Sequence, residues 1–382
     1  MQYLVLFLLF VISPLLYGSV LANYTIALEV IALLLLSTGQ VKKMKRYKLI
    51  GIFIAVALYF GWMAGLLILF SIESTSIIRI IQFIGCVSAF IVAATIKWNP
   101  KIINLVVRVV SVLVLFMFCY WIASGLNMSD FSFYYGNPDT YASLMFVFIS
   151  FLFFSTQRKN YISIAICLLL ILFTGARASL LAAILFIISS FLFKNRAIAK
   201  KANLILIIEA VALFALVIVY PMMMTMDIGS TLDEYSHQYF GKNFFSGRQV
   251  LWVDLIEKIV QSPIFGYGLS ANPEIAGFTK SSHNLYIQTA LQSGLIGLTL
   301  LVVVIVTIYR RLSEIEVKPY SRLSECFIIA VLVHESFEIC LTQNAITFGF
   351  MMWFMMGLGC NLNLQTTEEK KNNLKLKFKQ II

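Results

Sequence analysis

Arg177, Arg248 and His283 are the residues whose types and settings best suit them to chemistry. Arg177 lies between two apolar runs, in Thr174-Gly175-Ala176-Arg177. A guanidinium in hydrocarbon is costly unless it faces a polar cavity, although a snorkelling arginine at a helix end is the alternative. Arg248 opens an amphipathic stretch and reads either as a functional cation or as a headgroup contact. His283 is one of three histidines among 382 residues and stands where an apolar run begins. Imidazole changes protonation state near neutral pH, which suits it to proton transfer. His334 and Glu338, with Glu335 between them, fall within a further apolar run, and their spacing of four puts them on one helical face. Two such residues without a third are a weak metal signal, so no metal site is assigned and the pair reads as support for a site or as packing. Tyr134, Tyr135, Asn137 and Asp139 precede another apolar run, where an aromatic interface belt would also account for the tyrosines.

The elements that must hold these residues are apolar helices. The chain is 60% hydrophobic and 12% charged, far less charged than a soluble domain. Apolar runs near bilayer-spanning length cover about 2–17, 21–39, 49–70, 77–96, 102–124, 140–156, 161–174, 178–193, 203–221, 284–308, 323–341 and 345–361. Lipid forces backbone groups to pair within their own segment, so these runs are expected to be helices. The expected fold is an all-α polytopic membrane protein with about twelve transmembrane helices. Residues 1–361 form its one membrane domain and 362–382 a basic cytoplasmic tail. The N-terminal run lacks a basic leader and reads as a retained helix. The six cysteines form no C-x-x-C pair and read as packing residues.

Charge sets the orientation. Of the 29 Lys and Arg residues, 22 fall in six clusters: 42–48, Lys97 with Lys101, Arg158 with Lys159, 194–201, 310–322 and the tail from Lys370. Twelve crossings put all six on one side, which the positive-inside rule makes cytoplasmic, together with both termini. The doubtful stretch is 161–193. As one helix it would move the later clusters across the membrane, so a hairpin with Thr174 to Arg177 at its tip is expected. Three segments then face outward: 125–139, this tip, and a long loop over 222–282. Within that loop, 248–261 has helical spacing at Leu251, Leu255, Ile256 and Ile259, with Trp252 suited to a headgroup boundary, and reads as an interfacial helix ending before Pro263. Glu29, Glu209, Arg79 and Arg108 lie within apolar segments and read as paired or snorkelling residues.

Four segments, "TGAR" at 174–177, "SGRQVLW" at 246–252, "SPIFGYGL" at 262–269 and "SHNLYIQTALQSGLIGL" at 282–298, follow one another in an order that resembles the O-antigen ligase and polymerase superfamily of bacterial membrane glycosyltransferases. Ala176 stands where relatives commonly have serine. The resemblance implies a GT-C-like helical fold in the cytoplasmic membrane, with the active site facing outward. It implies polymerisation of polyprenyl-pyrophosphate-linked oligosaccharide repeat units into O-antigen, capsular or exopolysaccharide, or ligation of the glycan to a lipid A core or another acceptor. Arg177, Arg248 and His283 match the family's essential arginines and histidine. Guanidinium groups pair with pyrophosphate oxygens, and a histidine can activate or orient the acceptor hydroxyl. Asn284, Tyr135, Asn137, His334 and Glu338 are then expected to bind or support the sugars, with no cofactor or metal. Membrane lipids are partners, and a chain-length regulator and a flippase follow from the resemblance.

A transporter of lipid-linked sugars would also use many helices with intramembrane charges, but no internal repeat is evident. A receptor or structural role leaves the outward arginines and histidine unused. The basic clusters satisfy topology and carry no nucleic-acid module.

Overall fold

The computed structural model describes residues 2–361, apart from 41, 43, 45–47, 71, 126–134, 156–159, 200, 224–225, 241–243, 246, 280 and 316–318. Tyr134, Arg158, Lys159 and the tail 362–382 therefore lie outside the described residues. A helix forms over each of the twelve apolar runs. They are α1 (Gln2–Leu16), α2 (Ala22–Thr38), α3 (Ile50–Leu69), α4 (Ser74–Thr95), α5 (Pro100–Ala123), α6 (Pro138–Leu152), α7 (Tyr161–Thr174), α8 (Arg177–Leu192), α9 (Ala202–Met223), α12 (Leu285–Ser313), α13 (Pro319–Glu335) and α14 (Ile346–Gly359). Between α9 and α12 come α10 (Asp227–Phe240) and α11 (Arg248–Gln261). Among the described residues five helices, α3, α4, α5, α9 and α12, are long and apolar enough to cross a membrane by length and composition. The apolar helices together indicate a multi-pass membrane protein.

Burial sorts the helices. Every residue of α14, and every residue of α6 from Tyr141 onward, is buried; α4 and α13 pack against α14, and Phe327 and His334 of α13 stack on Phe146 of α6. The face of α9 is largely bare, with Leu204, Ile207, Ile208, Val211 and Phe214 exposed, as a lipid-facing helix requires. Two of the charged residues within apolar helices have hydrogen-bond partners: the Glu29 carboxylate accepts from Thr347 Oγ1 at 3.4 Å, and Arg79 Nη1 donates to Gln82 at 3.1 Å, whereas both carboxylate oxygens of Glu209 are buried without one among the described residues. Five of the six cysteines are buried and none forms a disulfide; Cys119 is exposed.

The connections fall at two ends. At one, Asn99 N donates to Gln2 Oε1 at 3.2 Å, Asn361 Nδ2 donates to the Ala93 and Ile96 carbonyls at 2.7 Å, and the Tyr309 hydroxyl donates to the Ala202 carbonyl at 3.0 Å. These contacts gather the start of α1, the α4–α5 junction, the start of α9 and the ends of α12 and α14 with their basic residues. The starts of α6 and α8 and the end of α13 lie at the opposite end, where Arg248 and His283 are found.

Three breaks shape that second end. Residues 161–193 form two helices: Gly175 closes α7 in the left-handed region with φ 68°, and the Thr174 hydroxyl accepts from Ala176 N at 3.1 Å. The expected hairpin tip is thus present. In α12, Gly294 departs from helical geometry with φ 66° and ψ −177°. The third break corrects an expectation: the run 323–341 is not helical throughout. Helix α13 stops at Glu335, whose carboxylate accepts from Cys340 N at 3.0 Å and Leu341 N at 2.9 Å. Segment 336–345 is irregular and is satisfied inside protein, with the Trp353 indole donating to Leu341 O at 2.9 Å. Glu338 therefore leaves the helical face it was expected to share with His334.

Candidate active site

Helix α11 begins the site. Its Leu251, Trp252, Leu255 and Ile259 recur at helical spacing and are buried against Ile287, Ala290 and Leu291 of α12. Trp252, expected at a headgroup boundary, is 0% exposed and donates to the Ser282 carbonyl at 2.9 Å. Its indole N–H needed a partner once buried, and Ser282 supplies one beside His283. Packing this face fixes the other end of the first turn, so that Arg248 points at segment 336–345.

There the charges converge. Arg248 Nη2 lies 3.3 Å from Glu338 Oε1 and 3.7 Å from Asp139 Oδ2, and His283 Nδ1 lies 3.6 Å from the other carboxylate oxygen of Glu338. Glu338 is thus shared between the arginine and the histidine. Burial pushes its carboxyl group up, but His283, His334 and Arg248 outweigh that effect and hold it below its ordinary value. A carboxyl group with a depressed folded value stabilises the fold most fully above its ordinary value of 4.5 and loses that contribution as pH falls through the folded value. Wild-type Tm is therefore expected to fall on acidification below that point, and Glu338→Gln to have a lower Tm at neutral pH with a flatter acid limb. Thermal melts across the acid range check this; an unchanged acid limb in the variant removes Glu338 from the role.

His283 has φ 48°, in the left-handed region, immediately before α12. Asn284 explains how it is held. Its Oδ1 accepts from Tyr286 N at 2.9 Å and Ile287 N at 3.0 Å, capping the helix, while its Nδ2 donates to Ser336 O at 2.9 Å. The Asn284 side chain is 0% exposed and bonded at both ends, so it anchors the start of α12. His334 is likewise 0% exposed. It sits 3.0 Å from Glu335 Oε1 through Nδ1 and 3.0 Å from Ser143 Oγ through Nε2, with Ser179 Oγ at 3.4 Å and Phe146 stacked on its ring. His334 is thus a buried tie among α6, α8 and α13. Ser143 also donates to the Asp139 carbonyl at 2.8 Å, which links that tie to the arginine's partner.

The remaining expected residues divide. Asn137 is exposed and caps α6, accepting from Thr140 N at 2.7 Å. Tyr135 is buried beside Tyr17 and Tyr141, so its ring packs rather than faces solvent. Arg177 is exposed at the start of α8, with Nη1 3.3 Å from Ser236 of α10. Helix α10 was not foreseen: it lies inside the long connection 222–282, and Asp233 on it accepts from Phe245 N at 3.1 Å, shortly before Arg248. Its polar sequence, with Asp227 in the first turn, gave only a weak helical signal.

Backbone bonds join the glycine-containing motifs. Tyr267 N donates to Leu291 O at 2.9 Å and Leu295 N donates to Pro263 O at 2.7 Å, across the break at Gly294. The Trp62 indole donates to Ser293 O at 2.9 Å and stacks on Phe265. "SPIFGYGL" is thereby fastened to "LQSGLIGL", and α11 to α12. Next to the site lies an apolar groove of about 450 Å³ between α9, α11 and α12. Tyr286 and Ile287, less than two helical turns from His283, line its near end, with Phe214, Ile256 and Val302 along it.

Residues 162–302 match the family model described as O-antigen ligase. This region is similar to the O-antigen ligase family. It contains all four motifs, including Arg177, Arg248 and His283, and supports the resemblance to the O-antigen ligase and polymerase superfamily and glycan transfer of that general type. Asp139 and Glu338, the carboxylates beside Arg248, come from outside the O-antigen ligase match. No curated protein matches the chain.

Proposed function

We propose that the chain is a polysaccharide polymerase of the cytoplasmic membrane, of GT-C-like architecture, with both termini cytoplasmic and its site facing outward. It transfers a growing glycan from polyprenyl pyrophosphate to a new lipid-linked repeat unit. One observation carries the reading: Arg248 and His283 share Glu338 within 3.3 and 3.6 Å beside the near end of an apolar groove. The groove offers the polyprenyl tail an apolar seat, and the cations meet the pyrophosphate at its end.

Both contacts of Arg248 use Nη2, which leaves the rest of the planar fork for phosphate oxygens. Arg177, exposed on the neighbouring tip, meets the same anion as negative charge grows on the leaving group. His283 directs Nδ1 at Glu338, so Nε2 is the nitrogen that takes or orients the proton of the attacking sugar hydroxyl. The hydroxyl oxygen forms the new glycosidic bond as the anomeric carbon–pyrophosphate bond breaks. Glu338 steadies the imidazolium this produces, and Asn284 and His334 hold the elements that present the pair.

A ligase would use the same donor with a different acceptor, and the family match favours keeping that reading beside the first. Purified protein in lipid, given a defined polyprenyl-pyrophosphate repeat unit with chelator present, decides between them. A ladder of longer lipid-linked glycans is the expected result. Transfer only when a lipid A core is supplied would make it a ligase, and neither outcome with folded protein would shift attention to transport.

A further inference from the structure

A second cavity, of about 330 Å³, lies at the basic end of the bundle, between the end of α6, the start of α7, the end of α8 and the start of α13. These are the opposite ends of the helices whose other termini build the transfer site. Two cations line it: Lys194, whose ammonium sits 4.3 Å above the Phe191 ring, and Arg322, whose Nε is buried with no hydrogen-bond partner among the described residues. A buried guanidinium N–H without a partner is costly, and an anionic oxygen beside it removes that cost. Phe153, Ile164, Phe191 and Leu323 form the apolar wall.

Cations together with an apolar wall describe an amphiphile's site. A soluble phosphate would use Lys194 and Arg322 and leave the wall idle, whereas a lipid uses both. Basic pockets between membrane helices on the positively charged side are suited to anionic head groups. We propose that this cavity binds the phosphate of an anionic phospholipid from the leaflet at the basic end, with Lys194 and Arg322 on the head group and an acyl chain along Phe153 and Ile164. The site is separate from the transfer reaction, so its failure would leave the transfer reading as it stands.

Native mass spectrometry of the full chain, carrying phosphatidylglycerol or phosphatidylcholine, tests this. Wild type is expected to retain phosphatidylglycerol selectively, with affinity falling about fivefold for each cation removed in Lys194→Gln and Arg322→Gln. Lys97→Gln, an exposed cation at the same end outside the cavity, is expected to leave retention unchanged. Ile164→Trp, which fills the apolar wall, is expected to lower retention with both cations present, and keeps the test decisive if Arg322→Gln fails to fold. Equal retention of phosphatidylcholine, equal loss in Lys97→Gln, or unchanged retention in both Lys194→Gln and Ile164→Trp would overturn the proposal. Displacement of the lipid by millimolar inorganic phosphate would replace it with a soluble phosphate site.

Discussion

His283→Asn is expected to lower the rate of glycan transfer by about 10²- to 10⁴-fold, the usual contribution of a positioned proton acceptor, while the protein stays folded. Asparagine is the informative replacement because His283 sits at φ 48°, a conformation that asparagine tolerates better than alanine does. Alanine would mix loss of the imidazole with backbone strain. The residues that hold position 283 are independent of its side chain: Asn284 caps α12 and bonds Ser336, and Trp252 bonds the Ser282 carbonyl. Tm is thus expected to change little compared with the rate. The measurement is single-turnover transfer with donor saturating, beside a melt of the same preparation. If His283 acts on the acceptor, donor affinity is preserved, whereas Arg248→Ala weakens donor binding as well as slowing the reaction. A His283→Asn protein that transfers at the wild-type rate would end the proton-transfer assignment.

Much of the scaffold was legible because apolar length and charge distribution are local properties. The twelve apolar runs and the helix from Arg248 to Gln261 follow from patterns within about twenty residues, whereas the break at Gly175 followed from the sidedness of basic clusters far along the chain. The site was legible only in part. Arg177, Arg248 and His283 stood out because charge beside apolar sequence is costly, but nothing local says that Arg248 meets Asp139 and Glu338, which are 109 and 90 residues away in sequence. The stop of α13 at Glu335 was hidden for a related reason. The run continues with Phe337, Ile339, Cys340 and Leu341, which read as helical, and the carboxylate that captures the Cys340 and Leu341 amides is itself part of the run. Asn284 looked like a ligand because it neighbours His283, whereas its short side chain is the type that caps helices. Helix α10 was missed although Ile228, Leu232, Tyr235 and Tyr239 recur at helical spacing, because the segment is polar on average and lies within a long connection.

The break in α12 was equally hidden, since a glycine within an apolar run is compatible with an unbroken helix, and it leads to the largest expected loss of stability. Gly294→Ala places a methyl group at φ 66°, ψ −177°, a region essentially restricted to glycine. A Cβ there would also overlap the Ile264 carbonyl and crowd Phe265 N at 2.7 Å. The backbone conformation and the overpacking each cost about 1–3 kcal/mol. Neither can be relieved cheaply, because the atoms met are backbone and not the tip of a flexible side chain. Moving the 262–267 segment away would also break the Leu295–Pro263 and Tyr267–Leu291 hydrogen bonds. Gly65→Ala is the matched control: it lies inside α3 with nothing within 4 Å of an added Cβ, and is expected to be neutral or to stabilise by about 0.5–1 kcal/mol. Thermal unfolding in one detergent compares the two. Because the same bonds fasten α11 to α12, Gly294→Ala is also expected to reduce transfer at temperatures where the protein remains folded, by loosening Arg248 relative to His283. Equal melting of the two glycine variants would mean that the break is not the fastening between those helices, and the geometry of the charge cluster would need another support.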